Sequence, residues 1–110
     1  MAAWTALASG PHVSFDVAID FTHRTLRPSG EIDTATAPLL LDAANAVMAV
    51  VGDLTIDLAR VTFADSALLH ALLIIRNQLR AQGAGVWLVN EPSCVQRIFL
   101  ACGFRAELAR

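Results

Sequence analysis

With 110 residues, 55% of them apolar and 16% charged, the chain is large enough for one domain with a single core and too apolar to be disordered. Its formal net charge is −2, and its eight basic residues are all arginines scattered along the sequence. Recognition of a nucleic-acid backbone needs clustered positive charge, so no direct nucleic-acid partner is expected.

The first ten residues, Met1-Ala2-Ala3-Trp4-Thr5-Ala6-Leu7-Ala8-Ser9-Gly10, lack the positive start and long apolar stretch of a signal peptide. No apolar run in the chain approaches the ~18 residues of a membrane span. Residues 1–10 read as a flexible tail and residues 11–110 as the folded domain. The protein is expected to be cytoplasmic, without membrane insertion. Trp4 in the tail is a candidate exposed contact.

Val13, Phe15, Val17 and Ile19 alternate with Ser14, Asp16, Ala18 and Asp20, the period-two pattern of a strand with one buried face. A second extended piece around His23 to Arg27 can pair with it as a hairpin, and Pro28-Ser29-Gly30 then reads as a break. Asp33 or Thr34 is placed to cap an alanine- and leucine-rich helix over Ala35 to Val50, in which Pro38 fits only the first turn. Gly52 is expected to end that helix. Leu54, Ile56 and Leu58 form a short strand. A helix follows from Ser66 to Gln82, apolar around much of its circumference, and Gly83-Ala84-Gly85 stops it.

Val86-Trp87-Leu88-Val89 is a continuous apolar run, the pattern of a central strand covered on its faces, with Trp87 in the core. Asn90-Glu91-Pro92-Ser93 turns and caps a third helix from Cys94 to Cys102, closed by Gly103. Phe104 to Arg110 fit either a short strand or a helix. Cys94 and Cys102, eight positions apart on one helix, would lie roughly 12 Å apart at 1.5 Å per residue. That exceeds the reach of a disulfide, so both read as reduced, mostly buried thiols.

The order is strand, strand, helix, strand, helix, strand, helix. It predicts a single α/β domain: a small mixed sheet, an N-terminal hairpin, and parallel strands connected and flanked by α-helices. Sites in such sheets lie at the carboxyl ends of the strands. Two loops would meet there, Gly30 to Thr34 and Val61 to Leu69.

The second loop holds Asp65-Ser66, between an apolar strand and an apolar helix. Two readings are open. Asp65 and Ser66 can simply cap the helix. Alternatively, Ser66 can be a modification site, because a phosphate at a helix start meets free N–H groups and the positive end of the helix dipole. Neither His12, His23 and His70 nor the cysteines show metal-ligand spacing, and no phosphate-binding glycine loop is present, so no cofactor is expected. A Ser66–His70–Asp hydrolase lacks the Gly-x-Ser-x-Gly elbow, and no enzymatic activity is expected.

Gly30-Glu31-Ile32-Asp33, the alanine-rich helix, Leu54-Thr55-Ile56-Asp57-Leu58 and Val61-Thr62-Phe63-Ala64-Asp65-Ser66 occur in an order that resembles a STAS domain. Within that superfamily the chain is similar to the bacterial anti-sigma factor antagonists. Gln82-Gly83-Ala84, Val86 to Asn90, Pro92, Val95-Gln96-Arg97-Ile98-Phe99 and Cys102-Gly103 extend the likeness over all but the tail.

The resemblance implies partner switching in a bacterial stress response. The unmodified antagonist binds an anti-sigma factor, a serine kinase with the histidine-kinase-like ATPase fold, and so frees a sigma factor for transcription. The kinase phosphorylates the antagonist, which then releases, and a serine phosphatase resets the cycle. Carried onto this chain, Ser66 is the phosphoacceptor. The partner-binding residues are Glu31, Asp33, Thr34, Asp65, Ala67, Leu68, Leu69 and His70.

The chain departs from the family pattern after the serine. A second hydroxyl residue and small residues are replaced by Ala67, Leu68, Leu69 and His70. On this reading Leu68 and His70 put bulk onto the face that a partner approaches. His70, four residues after Ser66, shares its helix face. It is either a solvated surface histidine, or a partner contact or pH-sensitive neighbour of a phosphate. The alternative function is a STAS interaction subunit of a larger assembly, such as a lipid-transport complex or a signalling scaffold, that works without phosphorylation.

Overall fold

The computed structural model describes residues 6–9 and 15–103. In chain order the elements are β1 (Ala6–Ser9), β2 (Phe15–Asp20), β3 (Thr25–Ile32), α1 (Ala37–Met48), β4 (Leu54–Asp57), β5 (Arg60–Ala64), α2 (Ser66–Ala81), β6 (Val86–Val89) and α3 (Ser93–Ala101). They form a mixed six-stranded sheet in the order β1-β2-β3-β4-β6, with β5 also paired to β3. The first three strands are antiparallel, and β3–β4, β3–β5 and β4–β6 are parallel.

The core arises from the period-two pattern. Phe15, Val17 and Ile19 of β2, Leu26 and Ile32 of β3, Leu54 and Ile56 of β4, and Val86 and Leu88 of β6 are all buried. Helices α1 and α2 pack against each other and against the sheet. They bury Leu40, Ala43, Ala44 and Val47 from α1, and Leu68, Leu72, Ile75 and Leu79 from α2. Each such leucine removed from water contributes about 1.5–3 kcal/mol. Helix α3 lies against β5 and buries Val95 and Phe99.

Pro28-Ser29-Gly30 is not a break: all three residues lie inside β3. One flank of β3 is antiparallel to β2 throughout. On the other flank β4 pairs with Thr25 and Leu26, and β5 takes over from Ser29. Pro28 falls in the gap between them, where its missing N–H removes no ladder bond. Strand β5 is not among the elements expected from the sequence. It carries a bulge, with Gly30 opposite Val61 but Glu31 opposite Phe63, so that Thr62 is the extra residue.

Residues 6–9, assigned to the tail by sequence, pair antiparallel with β2, Ala6 opposite Ile19 and Ser9 opposite Asp16. Ladder bonds come from the backbone, so a pairing of this kind needs no apolar alternation and leaves none to read. Trp4, Val13 and the segment 104–110 lie outside the described residues.

Trp87 and Val89 are 43% and 37% exposed, not core. Strand β6 ends the strand order instead of occupying its centre, and only its Val86–Leu88 face is buried. A four-residue apolar run reads the same whether one face or two are covered. The indole Nε1 of Trp87 donates to Asp53 Oδ2 at 3.4 Å, which gives its polar edge a partner.

Helix α1 is shorter than expected, Ala37–Met48 instead of Ala35 to Val50, and Gly52 comes after it. Gly52 has a different task. Arg24, itself at φ 51°, sends its guanidinium into the end of α1. It donates to the carbonyls of Val47 (3.2 Å), Gly52 (2.8 Å) and Asp53 (2.7 Å). A Cβ on Gly52 would come within 2.8 Å of Arg24 Nε.

At the β2–β3 turn, Asp20 is fully buried. Burial pushes its carboxyl up, but the His23 backbone N–H, the His23 ring and the Thr22 N–H outweigh that and hold it below the usual carboxylate range. The His23 N–H donates to Asp20 Oδ1 at 3.0 Å, and His23 Nδ1 lies 2.8 Å from Oδ2.

Candidate functional site

The parallel ladder between β3 and β5 ends at Ile32 opposite Ala64, so the next residues on the two strands are Asp33 and Asp65. The Asp65 N–H donates to Ile32 O at 3.3 Å, holding the two loops together at the carboxyl end of the sheet. Each aspartate then turns its own chain into a helix.

Asp33 Oδ1 accepts from Ala35 N at 2.9 Å and from Thr36 N at 3.0 Å. The buried Thr36 hydroxyl donates to Glu31 O at 2.8 Å and accepts from Asp33 N at 3.0 Å. This closed set of bonds orders the loop before α1. Thr36 occupies the N-cap position of that helix without a side-chain cap bond, and Pro38 lies in the first turn, where a missing N–H costs nothing.

On the other chain segment Asp65 is the N-cap of α2, extended at φ −122° and ψ −166°, and its Oδ1 accepts from Ala67 N at 2.8 Å. The cap is therefore Asp65. Ser66 is the first helical residue and is exposed, so its hydroxyl is not needed to start the helix.

Not all sequence candidates converge. Thr34, Ser66, Ala67 and His70 line one groove of about 460 Å³ between the first turns of α1 and α2. Asp33 and Asp65 stand beside it with their carboxylates engaged by backbone N–H groups. Glu31 is exposed but is not part of the groove; its register partner is Phe63.

Leu68 and Leu69 are 0% and 7% exposed and belong to the core, so Leu68 puts no bulk onto the outer face. The side chains at 66 and 70 point outward and those at 68 and 72 inward, as the 3.6-residue period requires. The groove also uses residues that sequence reasoning missed: Ala37, Pro38 and Leu41 on α1, and Ala71 on α2. The available signal was the i, i+4 spacing of Ala37 with Leu41 and of Ala67 with Ala71, which puts small and apolar residues on one stripe of each helix.

The remaining candidates lie elsewhere. Cys94 is half-buried, with Sγ 3.6 Å from Val61 O, and Cys102 is exposed at the end of α3. Both are free thiols, but Cys102 is not buried as expected. Among the described residues no group of three or more His, Cys, Asp or Glu side chains could hold a metal ion. Also among them, no helix is long and apolar enough to cross a membrane.

A single small α/β domain, a mixed sheet with three helices, and a groove at the carboxyl ends of parallel strands together mark one class of protein. The chain belongs to the STAS domain family, whose model matches residues 15–109. Among solved structures it is similar to the anti-sigma factor antagonist SpoIIAA in its unphosphorylated form. The TM-score is 0.64 and the identity 21% over 81% of this chain and 80% of that one, a likeness of fold. It is also similar to an anti-sigma factor antagonist from Mycobacterium paratuberculosis, with TM-score 0.61 and 28% identity over 94% of this chain and 83% of that one. No curated protein matches the chain.

Proposed function

We propose that the chain is an anti-sigma factor antagonist. In its unmodified form it binds an anti-sigma factor, a serine kinase of the histidine-kinase-like ATPase fold, and so frees a sigma factor. Phosphorylation of Ser66 ends that binding, and a serine phosphatase restores it. The protein acts in the bacterial cytoplasm as part of a stress response and contributes no catalytic group of its own.

The observation that carries this reading is the division of labour at the start of α2: Asp65 holds the cap, and the adjacent Ser66 is exposed and lines an apolar groove. Two solved structures similar to it are antagonists by name, which supports the partner class. Thr34, Ser66, Ala67 and His70, with the α1 stripe of Ala37, Pro38 and Leu41, form the docking surface. Leu68 and Leu69 support it from below.

In the modifying step the γ-phosphoryl group of ATP passes to Ser66 Oγ. ADP leaves, and the hydroxyl proton passes to solvent. The product carries roughly −1.5 to −2 additional charges at one point. That charge stands beside Asp33 and Asp65, so a surface fitted to the neutral hydroxyl is lost through repulsion and desolvation cost. Since Asp65 keeps its cap bond, α2 stays formed.

Incubation with a cognate kinase and ATP should add the mass of one phosphate to the wild-type chain and none to Ser66→Ala. Ser66→Asp should bind the kinase at least ~10-fold more weakly, a difference of about 1.4 kcal/mol. A chain that gains no phosphate, and whose Ser66→Asp variant binds like wild type, would instead be an unphosphorylated interaction subunit.

A further inference from the structure

We propose that His70 is the counter-cation of the modified state: once Ser66 carries a phosphate, the His70 imidazolium pairs with it across one turn of α2, making the strength of the switch depend on pH. This pairing rests on Ser66 being the phosphoacceptor and belongs to the phosphorylated form of the chain.

Ser66 and His70 are both exposed, both border the groove, and stand four residues apart on one helix. Side chains at that spacing have Cβ atoms about 5–6 Å apart, a span that a phosphoserine and an imidazole close by direct contact. An anion preceding a cation by four residues is also the favourable order on a helix. His70 takes part in no described ion pair, so the new contact displaces none.

The charges around the site make His70 distinctive. Asp33 and Asp65, the acidic residues that turn the two loops into their helices, offer a phosphate no positive partner. Helix α1 brings Ala37, Pro38 and Leu41 to the groove, all uncharged, and its exposed Asp42 lies outside the lining. The next basic residues of α2, Arg76 and Arg80, are ten and fourteen positions beyond Ser66, roughly 15 and 21 Å along the axis. Among the described residues lining the groove, His70 is the one basic side chain. When it is protonated it offsets part of the phosphate charge, and when it is neutral the phosphate meets only carboxylates. Release of the partner by phosphorylation is therefore weaker where His70 is protonated than where it is neutral.

The test uses the full chain synthesised with phosphoserine at position 66, so that no kinase is involved. Its ³¹P titration should show the second phosphate proton leaving about 0.3 pH units lower in the wild type than in His70→Gln, with the difference shrinking in 1 M salt. His70→Lys should keep the lower value. Phosphorylation should also move the ring ¹⁵N signals of His70 in the otherwise unaltered chain, a readout that needs no substitution. Coincident titrations in the wild type and His70→Gln, or unmoved ring signals, would overturn the pairing. Either failure leaves the kinase assay on Ser66 untouched, and failure of that assay leaves this titration valid.

Discussion

The two ends of the sheet use polar side chains in opposite ways. At the end bearing the β2–β3 turn, Asp20 is buried against His23, and Arg24 reaches across to three carbonyls around the end of α1. Those side chains close the structure on itself. At the other end Asp33, Thr36 and Asp65 do the same for two loops, but Thr34, Ser66 and His70 are left facing a groove. On the proposed reading, Ser66 can act as a switch because its neighbours carry the structural load in its place. Asp65 relieves Ser66 of capping, so a charge can be added there while the helix stays anchored.

The sharpest way to break this contrast is through the buried support. Leu68→Ala should cost about 2–5 kcal/mol of stability, read from denaturant midpoints, because it opens a cavity in the core. If the loss were under about 0.5 kcal/mol, Leu68 would face outward and the division between support and surface would fail. Next in size, Arg24→Ala should lose about 2–3 kcal/mol, since a charged donor leaves three backbone carbonyls. Kinase affinity measured on the folded variant should be unchanged, which separates the two ends.

Smaller effects distinguish the two residues of the junction. Asp65→Ala should cost about 1 kcal/mol as a lost cap, whereas Ser66→Ala should stay within about 0.5 kcal/mol. Equal losses would mean that the two residues share the capping task. The last test is acid stability. A carboxyl held low in the folded state stabilises the protein above its unfolded value, near 3.8, and that contribution disappears as pH falls through the folded value. Melting temperature should therefore drop below about pH 4 less steeply in Asp20→Asn than in wild type, while the two pH slopes coincide above about pH 6.

Much of the fold was legible because local rules produce it. The alternation through Phe15, Val17 and Ile19 located β2, and the sequence from Asp65 to Gly83 bounded α2 within a residue. Ser66 and His70 on one helix face follow from spacing alone. Other features were hidden because a partner distant in sequence determines them. Pro28 is tolerated only where β4 gives way to β5. Strand β1 exists through backbone pairing with β2. Trp87 is exposed because only the Val86–Leu88 face of β6 is buried, which four apolar letters cannot reveal.

The same division runs through the site. Helix α2, the acidic residue before it, the serine beside that residue and the family were all readable along the chain, since caps and periodicity act over a few residues. Folding in three dimensions settled the rest: Asp65 rather than Ser66 caps α2, Leu68 and Leu69 face inward, and Ala37, Pro38 and Leu41 complete the groove. Range separates the two groups. A cap bond spans two residues, whereas the groove exists only because packing on one sheet face brings together two helix starts about thirty positions apart.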